Sequence, residues 1–97
     1  MHIHIAIYRW RDDATEDGVR GALREVEALA EKVPGIVDIS TGVNLSKFGE
    51  GYTHAILVRG DSQEAIDAYR AHPDHGVVAK RIEEMEAAGI GVDFATD

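Results

Sequence analysis

Five histidines and three tyrosines are spread over 97 residues, and several sit where proton chemistry could be assembled. His2 and His4 alternate along HIHIAIYRW. His54 closes Gly51-Tyr52-Thr53-His54. Tyr69-Arg70-Ala71-His72-Pro73-Asp74-His75 carries a phenol and two more imidazoles. Imidazole titrates near neutral pH, so a cluster of this kind could move a proton at a carbon beside a carbonyl. The candidate set is His75 as general base, Tyr69 orienting it or a substrate oxygen, and His4 and His54 lining the site. The alternative is that all four are scaffold residues, hydrogen-bonded in the core.

Other chemistries find less support. His2 and His4 are two apart on one strand, and His72 and His75 three apart, spacings that could hold zinc or copper. Pro73 spoils the helical geometry of the second pair, and no carboxylate completes an evident set, so no metal is expected. A heme would need His75 stretched to an axial ligand. Phe48-Gly49-Glu50-Gly51 is a turn and not a phosphate loop, and Ser40, Ser46 and Ser62 lie in no nucleophile elbow. There is no cysteine, which removes disulfides, thiolate ligands and cysteine nucleophiles. No cofactor is expected.

These residues need elements to position them. In residues 2–10, His2, His4, Ala6, Tyr8 and Trp10 share one face of a strand, and Ile3, Ile5, Ile7 and Arg9 the other. Neither face is plainly polar, the pattern of a central strand. Thr15 is a candidate N-cap for a helix carrying Val19, Ala22, Leu23, Val26, Leu29, Ala30 and Val33 inward, ended by Pro34-Gly35. Ile36 to Leu45 reads as a second strand, less buried because of Asp38 and Ser40. After the Ser46–Gly51 connection, Tyr52 to Arg59 reads as a third, again apolar on both faces. Asp61 and Glu64 form a capping-box pattern for the next helix. Pro73 ends that helix at His72, and Asp74 is the expected N-cap of another running to Ala88, closed by Gly89. His75, Val78, Ile82 and Met85 form its inward face. Ile90 to Thr96 is the last strand.

Strand, helix, strand, strand, broken helix, strand is the split βαβ order of a ferredoxin-like α+β fold. Right-handed crossovers place both helices on one face of a four-stranded antiparallel sheet, with the first and third strands central. Residues 1–97 make a single domain. The uncovered sheet face would expose Ile3, Ile5, Ile7, Ala55 and Leu57, and apolar patches beyond a few hundred Å² are rare on monomers. A second copy, sheet against sheet, is the simplest cover, giving a homodimeric α+β barrel.

Composition narrows the partners. A net charge of −8 makes nucleic acid and anionic membranes poor ones. No apolar run approaches the roughly 20 residues of a membrane helix, and no leader pattern is seen, so a cytoplasmic location is the expectation.

The chain resembles the stress-responsive α/β-barrel (Dabb) family along nearly its whole length. The residues that carry the resemblance are HIHIAIYRW, Pro34-Gly35-Ile36, Gly42-Val43-Asn44, Gly51-Tyr52-Thr53-His54, the Tyr69–His75 stretch and Val92-Asp93-Phe94. The resemblance implies a ferredoxin-like subunit and a dimeric barrel. It does not imply one function, since the family is similar to a mixture of plant stress proteins, uncharacterised bacterial proteins and a few catalysts, among them a plant polyketide cyclase. That cyclase's site histidines match His4, His54 and His75, and a site tyrosine matches Tyr69. A second site tyrosine of the cyclase is matched here by Val26, which separates the two substrates. Two classes therefore stand open. One is a small dimeric protein that binds or transforms an apolar, aromatic or polyketide-like carbonyl compound, by cofactor-free cyclase- or lyase-type proton transfer if it is an enzyme. The other is a non-catalytic stress-related or structural dimer.

Overall fold

The computed structural model describes residues 1–96. The strands are β1 (His2–Trp10), β2 (Ile36–Val43), β3 (His54–Gly60) and β4 (Glu86–Ala95), and the helices are α1 (Glu16–Ala28), α2 (Gln63–Ala71) and α3 (Pro73–Met85). A single 3-10 turn, Leu29–Glu31, extends α1. The sheet order is β2-β3-β1-β4, with every neighbouring pair antiparallel. β1 and β3 are the central strands, as their two apolar faces imply.

The helices cover one face of the sheet. Ala6, Ile56 and Val58 meet Val19, Leu23 and Val26 of α1, Ile66 and Tyr69 of α2, and Val78 and Ile82 of α3 in one buried cluster. Each large aliphatic so buried contributes roughly 1.5–3 kcal/mol. On the opposite face Ile5 stands between Leu57 and Val92, and Ile7 between Ala55 and Ile90. β4 thus widens the apolar patch with Ile90, Val92 and Phe94, each nearly half exposed.

Local chemistry explains the boundaries. Thr15 caps α1 by accepting from the Gly18 N–H at 3.0 Å. The cap of α2 is Ser62 and not Asp61: the Ser62 hydroxyl accepts from the Ala65 N–H at 3.1 Å. α2 stops at Ala71, and α3 starts at Pro73, with His72 alone between them. The N-cap of α3 is His72 in place of the expected Asp74. Its Nδ1 accepts from the Asp74 N–H at 3.0 Å, and Pro73 occupies the first helical position, where its missing N–H costs nothing. α3 ends at Met85, three residues before the expected Ala88, and residues 86–89 belong to β4. Gly89 is therefore a strand residue and not a helix cap. β2 stops at Val43 and β3 starts at His54, each two residues inside its expected span. Gly35 has φ +88, and a Cβ there would lie 2.8 Å from both Ala65 Cβ and Asp61 Oδ1, so the turn into β2 requires glycine on both counts.

Candidate functional site

The antiparallel register decides which side chains meet. His4, Ala6 and Tyr8 of β1 point to the helix face, and Asp93, Gly91 and Gly89 of β4 are their cross-strand partners. The two glycines put no side chain between the sheet and α3, and a cleft of about 360 Å³ opens there. His4, Tyr69, Arg70 and His75 line it together with Ala6, Val26, Ile56, Val78 and Ile82. Its wall is mostly apolar, with a few polar groups converging on it, the usual character of a small-molecule site.

Three of the four residues singled out from the sequence meet here. The rings of Tyr69 and His75 pack edge to face, centroids 4.7 Å apart, and His4 lies 6.2 Å from Tyr69. Tyr69 is only 2% exposed, yet its hydroxyl and both His75 ring nitrogens have no hydrogen-bond partner among the described residues. No fully buried side-chain nitrogen or oxygen there is unpartnered, so these atoms are open to the cleft. Burial, with a smaller push from Tyr8, raises the Tyr69 phenol well above its ordinary 10.0 and keeps it protonated. Burial lowers His75, and the neighbouring His4 and Arg70 lower it further. A neutral His75 is set to accept a proton, and a neutral Tyr69 to donate a hydrogen bond.

The structure adds two residues that the sequence reading left out. Asp93 Oδ1 lies 2.6 Å from His4 Nδ1, and Arg70 Nη2 donates to Asp93 Oδ2. Arg70 Nη2 is also 3.0 Å from His4 Nδ1. A guanidinium can only donate, so the shorter contact assigns the Nδ1 hydrogen to Asp93 and leaves Arg70 paired with the carboxylate. His4 Nε2 then carries the free lone pair. Burial raises the Asp93 carboxyl, but the hydrogen bonds from His4 and Arg70 outweigh it and the net shift is downward. The signal for Asp93 lies in the alternation of Gly91, Asp93 and Ala95. It places a carboxylate on the helix face once β4 is paired with β1.

His54 does not join this group. It is on the helix face of β3, as expected, but it pairs with Tyr8, whereas His4 pairs with Val58. The two histidines are four positions apart along the strands, about 14 Å at roughly 3.4 Å per residue. The Trp10 indole Nε1 donates to His54 Nδ1 at 2.9 Å, and His54 lines a different cleft, under α1. Of the pairs weighed for metal, His72 is used as a helix cap. Among the described residues no three His, Asp or Glu side chains gather to hold an ion. No helix there is long and apolar enough to cross a membrane.

Residues 3–96 match the Stress Responsive A/B Barrel Domain, Dabb. The chain belongs to that family. Its relatives include a stress-response A/B barrel domain-containing protein of Arabidopsis thaliana, 31% identical over 78 residues. That match takes in 79% of this chain but spans only 29% of the Arabidopsis protein. Olivetolic acid cyclase of Cannabis sativa is 28% identical over 74 residues, 74% of this chain and 73% of the cyclase. Among solved structures, a dimeric ferredoxin-like protein of unknown function from Thermobifida fusca superposes with a TM-score of 0.85 at 29% identity. The superposition covers 98% of this chain and 90% of that one. Dabb membership and the ferredoxin-like fold agree with the sequence resemblance. Val26 lines the cleft here and leaves that wall apolar.

Proposed function

We propose that this Dabb protein is a homodimer that binds a small apolar, aromatic or polyketide-like carbonyl compound in the His4–Tyr69–His75 cleft and moves a proton beside its carbonyl. The observation that carries the reading is the set of free polar atoms in a cleft whose wall is mostly apolar, with Arg70, Glu83 and Glu86 also lining it. The Tyr69 hydroxyl, the His75 ring and His4 Nε2 all lack a protein partner among the described residues, while Asp93 holds His4 in one tautomer. Tyr69 would donate to the substrate carbonyl oxygen, stabilising charge as it develops there. His75 would take the α-proton. It stands in the first turn of α3, where the positive end of the helix dipole disfavours imidazolium. The protonated His75 would return the proton, and His4, with its Nδ1 hydrogen held by Asp93, offers the Nε2 lone pair as a second acceptor in the cleft. The relation to olivetolic acid cyclase supports this class of chemistry, and Val26 argues for a different substrate.

The dimer part rests on the apolar outer face of β1, β3 and β4 and on the dimeric Thermobifida fusca relative. The chemistry is tested by solvent-deuterium exchange into the α-carbons of benzylacetone, followed by NMR. Exchange above the buffer rate is expected, and His75→Ala should reduce it by about 10² or more with the fold unchanged. Exchange at the buffer rate, with no movement of the His4, Tyr69 or His75 resonances on adding the ketone, would favour the non-catalytic dimer.

A further inference from the structure

A second cleft, about 350 Å³, lies under α1 beside the β2–β3 edge of the sheet. It is as large as the first, and a stacked aromatic pair stands between them. Tyr8 lines the first cleft and Trp10 the second, their rings 5.2 Å apart and tilted by only 20°. Val19, Leu23 and Val43 supply the apolar wall of the second cleft.

Its polar equipment is set by one hydrogen bond. An indole N–H only donates, so His54 Nδ1 must be the acceptor of the 2.9 Å bond from Trp10 Nε1. The Thr53 hydroxyl lies 2.9 Å from the same nitrogen and can donate to it. Neutral His54 therefore carries its hydrogen on Nε2. That N–H has no acceptor among the described residues, and no fully buried polar side-chain atom there lacks a partner, so it is open to the cleft. Charges on the rim balance. Arg20 and Arg24 line it together with Glu16 and Glu27, and Glu27 already accepts from the Thr41 hydroxyl at 3.0 Å. The rim carries no net charge, which suits a neutral or weakly polar ligand, and one acceptor oxygen satisfies the single oriented donor.

We infer that this cleft is a second small-molecule site. It takes an apolar or aromatic molecule that presents one carbonyl oxygen to His54 Nε2–H and lays its body against Trp10, Leu23 and Val43. The site is separate from the proton-transfer cleft and stands whether or not that cleft is catalytic.

The chain's single tryptophan makes the test local. The one indole N–H resonance is followed by NMR during titration with 2-acetylnaphthalene and with 2-ethylnaphthalene, which has the same shape without the acceptor. The ketone should shift the indole resonance saturably and bind roughly two- to tenfold tighter than the hydrocarbon, the worth of one hydrogen bond. That preference should vanish in His54→Phe. Val43→Phe, on an exposed rim position, should weaken both probes in a chain whose core is untouched. The inference is overturned by an indole resonance that does not move, by shifts confined to His75 and Tyr69, or by equal affinity for the two probes.

Discussion

His4 and Asp93 stand opposite each other on β1 and β4, and their side chains meet at 2.6 Å across 89 residues of sequence. The contact fixes the His4 tautomer, and Arg70 holds the carboxylate from the other side. Asp93→Asn keeps the shape but offers the imidazole either a donor or an acceptor. The expected result is a mixture of His4 tautomers in long-range 1H–15N spectra. Deuterium exchange should fall by about tenfold or more, as suits a positioning residue of an acid–base pair. A single unchanged tautomer would remove Asp93 from the mechanism.

Much of this arrangement can be read in the sequence because strand alternation and helix punctuation are local. The two apolar faces of β1 and β3 mark the central strands, and Pro73 marks the break that turns His75 toward the sheet. Alternation says which face a residue is on, but not how far along the sheet it lies. His4 and His54 share a face, and only the register separates them into two clefts. Alternation along β4 puts Asp93 on the helix face, but its meeting with His4 and Arg70 depends on pairing between distant segments. The caps of α2 and α3 lie one or two residues from their expected places. Ser62 competes with Asp61 for the first, and an imidazole that caps a helix looks like a candidate ligand at the second.

The pH dependence has a definite sign. Burial, and then the nearby His4 and Arg70, hold His75 below its ordinary 6.5. Burial does the same to His54, outweighing the opposite pull of Glu16. As pH falls below 6.5 the unfolded chain takes up these protons first, so the unfolded state gains. The melting temperature should be level above pH 6.5 and fall as pH drops through the folded-state values. His75→Ala should make the decline shallower. The exchange rate should rise with pH to a plateau, with its midpoint below 6.5. It should not fall again near pH 10, because burial raises Tyr69 above that value. A melting temperature that rises on acidification from pH 6.5 would reverse the assignment of both histidines as neutral in the fold.

Assembly is checked on the outer sheet face. Sedimentation equilibrium at micromolar concentration should give about twice the 10.6 kDa chain mass. Val92 is 49% exposed in the single chain and pairs with Ile5, so Val92→Lys places a charge in the proposed interface without disturbing the core. An unpaired charge is costly to bury, and the variant should sediment as a monomer. A wild-type monomer at that concentration would rule out the dimer, and a Val92→Lys dimer would move the interface elsewhere.

Gly91 offers the cleanest way to separate binding from folding. It lies opposite Ala6 on the helix face of β4 and lines the cleft with Gly89. A Cβ at Gly89 would lie 2.7 Å from Glu86 Oε2 and 3.3 Å from the Tyr8 ring, so substitution there tests crowding and nothing else. At Gly91 the nearest atom is the Ile5 carbonyl oxygen at 3.9 Å, ordinary contact with room beyond it. Glycine is a poor strand residue and valine a good one, and its added methyls would project into the space a ligand needs. Gly91→Val should therefore keep or raise the melting temperature while weakening benzylacetone binding and slowing exchange by roughly tenfold, a loss of about 1.4 kcal/mol. The indole response of Trp10 to 2-acetylnaphthalene, in the other cleft, should not change. If Gly91→Val exchanges deuterium at the wild-type rate, the ligand does not sit between β4 and α3, and the His4–Tyr69–His75 cleft loses its role.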